Sequence, residues 1–276
     1  MKEIKEVILC VVGCGGTGSS FVELLTRYLS QNHNQSRLRI REMLLIDGDI
    51  VEEKNLKNQA FIMDDVGYPK SAVLADAMNQ YLAAGNASVR WKSYNKYIVS
   101  SKELQSLIEE HCKSVTKETL VCIFGCCDNH NCRLMMEDIF NSTKFPNIFL
   151  YDSANEFKNG EVVFAHKINM QVHSPCRSVI FPDIKTGDLR NVTEMSCEEL
   201  NNVAPQHLLV NRFAAQVLMQ GFTSMFEEGV PKFGFCVFNA ASMNSQFYER
   251  RVDYGSKEKS GQTRKRGSNK GKKKEG

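Results

Sequence analysis

No stretch of the sequence approaches the roughly 18 to 20 consecutive apolar residues that a membrane-spanning helix requires. The first six residues, Met1 to Glu6, include acids and lack the layout of a signal peptide, so the expectation is a cytoplasmic chain without membrane contact. The Cys-x-x-Cys pattern is also missing, although there are ten cysteines. That excludes the paired-knuckle zinc site, and no zinc is expected. Pairs such as Cys10/Cys14 and Cys126/Cys127 sit in apolar or loop sequence rather than at the spacings of a small secreted disulfide framework, which implies reduced thiols.

With 42% hydrophobic and 24% charged residues, the chain can build one large core. Its charge is uneven. Residues 256–276 hold nine Lys/Arg against two acids, leaving a mildly acidic body with 26 basic and 30 acidic residues. That tail is rich in Gly, Ser and Asn and nearly free of apolar residues, so it is expected to be disordered. A basic tail can touch nucleic acid; a plain solubilising segment is the reading favoured.

Val7-Ile8-Leu9-Cys10-Val11-Val12 is a continuous apolar run ended by glycines, as in a strand buried on both faces of a parallel sheet. Phe21, Leu24, Leu25, Tyr28 and Leu29 then recur at helical spacing. The alternation continues with strands at 43–46, 88–94, 120–124 and 148–151, separated by helices around Leu74, Leu104 and Ile139, which argues a parallel sheet with right-handed crossovers. Beyond the Asn159-Gly160 turn signal, strands at 161–165 and 235–238 and a helix opened by Pro205 make the second part more antiparallel.

Gly13-Cys14-Gly15-Gly16-Thr17-Gly18 follows the first strand and opens the first helix, the context in which a glycine fingerprint carries meaning. A Cβ would obstruct the close approach such a turn demands, and free N–H groups at the positive end of a helix suit a phosphate. The motif alone specifies a nucleotide but not which one, and a tight turn without a ligand is the plain alternative. Asp47, ending the second strand, is placed to accept hydrogen bonds from ribose hydroxyls. A dehydrogenase puts this acid about 20 residues beyond the glycines; here it comes later and is trailed by a polar loop to Gln59, which weakens an NAD reading. Read locally, an exposed residue at a helix start is the lesser alternative for Lys70, Asp128-Asn129 is a helix N-cap, and His173 is a satisfied loop histidine rather than a metal ligand paired with Cys176. Cys197 is either a nucleophile or a small buried hydrophobe, and Glu198 and Glu199 would raise its pKa.

G-x-G-G-x-G at 13–18, D-x-D-x-V-x-x-x-N-L-x-x-Q at 47–59, G-x-x-K at 67–70 and D-N-x-x-x-R at 128–133 together resemble the ThiF/MoeB/E1 family, the activators of ubiquitin-like proteins. The resemblance covers about residues 7–240, most strongly up to Asp152. It implies that Gly13, Gly15, Gly16 and Gly18 cradle ATP, Asp47 binds its ribose, and Asn55 and Lys70 hold its phosphates. It further implies that Asp128, with Asn129 beside it, directs Mg²⁺, and that Cys197 forms a thioester or persulfide-type link in a later transfer. Two positions depart from the family: Asn58 stands where N-L-x-R-Q has arginine, and Val179 stands where bacterial relatives have the second zinc cysteine after Cys176. The layout around Cys197, with Asn211 in the following helix, is similar to the ThiF-like proteins of PRTRC operons.

The expected fold is therefore α/β, a doubly wound Rossmann-like, mostly parallel sheet with an antiparallel C-terminal extension. The adenylation domain would occupy residues 1–255, with core motifs at 7–152 and a partner-binding part at 153–250. The resemblance implies ATP·Mg²⁺-dependent adenylation of the C-terminal carboxylate of a ubiquitin-like protein or peptide by a homodimer. The alternatives are a catalytically weak nucleotide-binding adaptor and an NAD(P)-dependent oxidoreductase.

Overall fold

The computed structural model describes residues 3–32, 38–111, 115–186, 208–229, 231 and 233–249. Cys197, Pro205 and the basic tail fall outside the described residues. The chain enters at once into the middle of the sheet. In β1 (Glu6–Val12), Val7, Leu9 and Val11 face one core and Ile8, Cys10 and Val12 the other, which is why the run is apolar without alternation. The helix α1 (Gly16–Asn32) buries Phe21, Val22, Leu25 and Leu29 on the first of these faces.

Next come β2 (Arg39–Ile46), α2 (Lys70–Ala84), β3 (Trp91–Tyr94), α3 (Ser101–His111), β4 (Thr119–Gly125), α4 (His130–Asn141) and β5 (Ile148–Asn155). The strands run parallel in the order β3-β2-β1-β4-β5, with α1 and α2 covering one face and α3 and α4 the other, a doubly wound arrangement. Because β2 and β4 lie on opposite sides of β1, the chain reverses its winding there, and a crevice opens at the carboxyl ends of β1 and β4.

The second part is antiparallel, as expected. β6 (Asn159–Ile168) returns along β5, β7 (Gln171–Ser174) pairs with β6, and β8 (Phe233–Asn239) with β9 (Asn244–Glu249) completes the far edge. Between them lie the single turn α5 (Arg177–Ile180) and the helix α6 (Leu208–Thr223), which packs against α1 and the back of β5 and β6. The core centres on Phe124, whose ring lies 4.5 Å from that of Phe21 and 5.5 Å from that of Tyr151. Among the described residues, no helix is long and apolar enough to cross a membrane.

Two local differences from expectation have physical causes. The strand expected over 88–94 begins only at Trp91, because Ala87 still bonds back to Leu82 at the end of α2 and the Asn79 side chain pairs with both backbone groups of Trp91. β9 was not anticipated, since Asn244–Glu249 is a largely exposed edge with no apolar pattern.

A buried ionic knot fastens α5 to the sheet. The guanidinium of Arg177, 2% exposed, donates to the Asp152 carboxylate, to Glu161 at 2.5 Å and to the Asp152 carbonyl at 2.8 Å. Arg177→Ala would leave Asp152 and Glu161 without their shared cation, and urea unfolding should show a loss of about 3–5 kcal/mol. A loss below about 1 kcal/mol, the range of an exposed pair, would contradict this role.

Candidate functional site

A staircase of backbone hydrogen bonds draws the carboxyl ends of four strands into one ledge. Asp47 N–H donates to Tyr94 at 3.1 Å, Gly13 N–H to Ile46 at 2.9 Å, and Cys126 N–H to Val12 at 2.8 Å. The glycine loop sits on this ledge. Gly13 has φ +96°, and a Cβ there would meet the Cys126 carbonyl oxygen at 2.7 Å. A Cβ on Gly18 would lie 1.9 Å from the Gly13 carbonyl oxygen, and one on Gly16 would lie 2.1 Å from Asn211 Nδ2. Gly15 differs: nothing lies within 4 Å of its Cβ position. Gly13 and Gly18 are therefore required by backbone packing, Gly16 is backed by the Asn211 side chain, and Gly15 leaves the loop open on one side, beside the N–H groups of the first turn of α1. The thiols of Cys14 and Cys126 flank the loop, but burial raises both well above the usual range, so they stay protonated.

Asp47 ties the loop to β2. Its two oxygens accept the Cys14 N–H at 2.5 Å and the Asp49 N–H at 2.7 Å. Burial, and then the charge of Asp49, push its carboxyl up to about 6, against the opposing pull of the Cys14 N–H and of Lys70. The following loop closes on itself through Gly67 (φ +91°), whose N–H reaches the Val51 carbonyl, so that Lys70 returns to the end of β2. The alternative of an exposed helix-start residue does not hold for Lys70. It is 5% exposed, and its ammonium lies 2.7 Å from Asp49. Burial alone would raise the Asp49 carboxyl, but the Lys70 charge and the Tyr97 hydroxyl outweigh it and hold the group low.

Asn55 is buried and shapes the turn: its side-chain oxygen accepts the Glu52 N–H at 2.8 Å. Asn58 lies directly behind the glycine loop, its carbonyl oxygen 3.3 Å from the Cβ position of Gly16. The residue that departs from the family is thus at the loop itself.

At the end of β4, Asp128 is exposed on the ledge, whereas Asn129 caps α4 by accepting the Cys132 N–H at 2.7 Å. Arg133, 4% exposed, holds the Cys127 carbonyl at 2.7 Å and the Ser153 carbonyl at 3.1 Å, fixing the loop that carries Asp128. Among the described residues, no three His, Cys, Asp or Glu side chains are grouped to hold a metal, and Cys176, the candidate metal thiol beside His173, is packed into the core. A lone exposed carboxylate fits Mg²⁺ arriving with a nucleotide, because that ion keeps several waters and takes one or two carboxylates together with phosphate oxygens.

Sequence reasoning missed Tyr97. Its ring covers Gly48, its hydroxyl donates to Asp49, and its phenol is raised by burial, by that bond and by the charges of Asp47 and Asp128. No sequence motif marked it. Cys197 is not placed relative to the ledge, since it lies outside the described residues.

A doubly wound sheet with a glycine loop at its switch point, and a strand-end acid pair and a buried lysine beside it, defines a Rossmann-like α/β protein. The chain belongs to the ThiF family, whose model matches residues 1–259. Ubiquitin-like modifier-activating enzyme 5 of Oryza sativa subsp. japonica is 27% identical over 143 residues, covering 51% of this chain and 31% of that protein. The Arabidopsis thaliana protein of the same name is 28% identical over 149 residues, covering 52% of this chain and 31% of its own length. The matched part thus spans about a third of these relatives. Among solved structures, E. coli MccB aligns with TM-score 0.59 at 13% identity over 96% of this chain and 70% of MccB. PaaA aligns with TM-score 0.57 at 18% identity, covering 90% and 74%. At these identities the likeness is one of fold.

The raised carboxyl of Asp47 has a signed consequence. Its folded pKa, about 6, exceeds the ordinary aspartate value, so the folded state holds this proton more tightly than the unfolded chain. The resulting stabilisation is complete below about pH 4 and is lost as pH rises through about 6. The stability of wild type minus that of Asp47→Asn should therefore fall by about 2 kcal/mol between pH 4 and 7, allowing for partial solvent contact. A difference that is flat or rises over that range would contradict the environment described.

Proposed function

We propose that this chain binds ATP·Mg²⁺ in the crevice above Gly15 and activates the C-terminal carboxylate of a ubiquitin-like protein or peptide as an acyl-adenylate. The observation that carries the reading is the convergence of four features on one ledge: the open side of the glycine loop, Asp47, the Lys70–Asp49 pair and Asp128. Family membership supports it, as do the folds of relatives whose crystals include MccB with ATP, and MccB with AMPCPP and MccA.

In this reading the N–H groups of residues 15–18 and the ammonium of Lys70 hold the phosphates, and the ionised Asp47 receives the ribose hydroxyls. Lys70 arrives already oriented, because Asp49 fixes its ammonium within a buried setting. The partner carboxylate is itself the nucleophile: it forms a bond to the α-phosphorus as the bond to pyrophosphate breaks, so no protein base is needed. Positioning and charge neutralisation then do most of the work. Asp128 would hold Mg²⁺, which when bound would neutralise charge on the departing pyrophosphate. Arg133 holds Asp128 at the ledge through the Cys127 carbonyl. Cys197 acts afterwards, its thiolate taking the acyl group and releasing AMP. We place this activity in the cytoplasm, in keeping with the eight free cysteines among the described residues, and in a homodimer, as the family resemblance implies.

A second reading rests on Asn58. An asparagine behind the loop supplies no guanidinium to the polyphosphate, as expected of an adaptor that binds nucleotide and turns it over weakly.

Thermal unfolding separates these readings. Saturation with ATP·Mg²⁺ near 100 times its dissociation constant should add about 2.7 kcal/mol to wild type. The shift should shrink with EDTA or in Asp128→Ala, and NAD⁺ should give none. A shift with NAD⁺ alone would sink the proposal in favour of hydride-transfer chemistry. Asn58→Arg should raise partner-dependent ATP–pyrophosphate exchange at least about tenfold if the chain is a handicapped enzyme. No exchange in either form, with ATP bound by both, would leave the adaptor.

A further inference from the structure

Three polar side chains from three distant parts of the sequence meet behind the glycine loop, in a place the adenylation chemistry does not touch. Thr17 belongs to the first turn of α1, Asn155 to the carboxyl end of β5, and Asn211 to the first turn of α6. Thr17 Oγ1 donates to Asn211 Oδ1 at 3.2 Å, and Asn155 Nδ2 lies 2.8 Å from Thr17 Oγ1 and 3.3 Å from Asn211 Oδ1. The Asn211 amide is turned with Oδ1 toward both donors. Its oxygen faces Thr17 and Asn155, and its Nδ2 faces Gly16, 2.1 Å from where a Cβ would stand. The residue is 1% exposed.

The four loop glycines divide accordingly. Gly13 and Gly18 are closed off by Cys126 and by the loop's own carbonyl, and Gly15 opens on space. Gly16 is backed by a side chain from another element. We infer that Asn211 is a positioning residue of the nucleotide site: its amide fills the notch left by the missing side chain of residue 16 and sets how far α6 stands from the phosphate loop. The inference rests on the reading of that loop as a nucleotide site. The Asn155–Thr17–Asn211 triad holds the amide in register, so the loop presents its N–H groups toward the Gly15 side without having to rearrange when a phosphate arrives. A longer or shorter side chain at residue 211 would move the loop, whereas an unrelated packing residue would alter stability alone.

A steric swap tests this with ATP·Mg²⁺ as the probe, read by titration calorimetry, and with ligand-free melting measured beside it. Gly16→Ala forces a methyl group against the amide and should weaken ATP binding by about ten- to a hundredfold. Asn211→Gly should weaken it by about tenfold, since the loop loses its backing and the triad its shared acceptor. In Gly16→Ala/Asn211→Gly the new methyl group occupies the vacated notch. Both melting and ATP affinity should then recover from the Gly16→Ala values, with affinity returning to within about threefold of Asn211→Gly. If Gly16→Ala does not fold, Asn211→Ala decides: a loss of about tenfold in ATP affinity from a folded protein supports the role, and unchanged affinity overturns it. A folded double variant no better than Gly16→Ala overturns it as well. Wild type that fails to bind ATP overturns the nucleotide reading and this inference together, whereas wild-type binding with indifferent Asn211 variants overturns the inference alone.

Discussion

Much of this molecule follows from the backbone of Gly13 lying against the carbonyl of Cys126. With φ +96° and no Cβ, Gly13 lets the chain leave β1 directly beside the end of β4, where a methyl group would meet that carbonyl oxygen at 2.7 Å. The same turn lets Gly18 approach the Gly13 carbonyl, so α1 starts close to the sheet and its N-terminus points along the crevice. Once α1 is seated there, its apolar face covers β1 and β4, and α6 packs beside it on β5 and β6. The switch point between β1 and β4 is therefore both a place of close backbone packing and the mouth of the crevice.

The electrostatics of that mouth are acidic until a cation is supplied. Among the described residues, Asp47, Asp49 and Asp128 share the ledge with one buried ammonium, Lys70; burial, and then the charge of Asp49, push Asp47 upward while Asp49 takes the lysine. Three carboxylates beside a phosphate cradle would repel an anion, so a divalent ion accompanying the nucleotide suits the surroundings better than a bare nucleotide does. Beneath the ledge a second set of charges, Arg133 and Arg177 about Asp152, is fully enclosed and serves the frame. Where bacterial relatives place a zinc cysteine, this chain presents Val179 half-exposed, and α5 is fastened by the neighbouring Arg177.

How much of this was legible depended on whether the cause was local. The doubly apolar β1, the glycine fingerprint and the alternation of strands and helices are properties of short windows, and each was found where the residues placed it. Asp47 and Lys70 were recognisable from their motifs. Their partners were not, because the Lys70–Asp49 pairing needs the loop between them to close through Gly67, and a loop's path is not written in its periodicity. Tyr97, Arg177 and Asn155 gave no signal, since each acquires its role from residues far away in the sequence: Asn155, for example, bonds Thr17 across 138 positions. Asn129 shows the opposite limit. Its resemblance-based assignment to the nucleotide and its plain reading as a helix cap were both available locally, and its side-chain oxygen is engaged as the cap.

The central claim, that the open side of the glycine loop receives the phosphates of ATP while Asp47 receives its ribose, is tested most directly by a crystal structure of the protein with AMPCPP and Mg²⁺. The account predicts phosphate oxygens within hydrogen-bond distance of the N–H groups around Gly15, ribose hydroxyls on Asp47, and Asp128 on the metal side of the triphosphate. Nucleotide bound elsewhere, or a triphosphate turned so that its ribose lies away from Asp47, would contradict it.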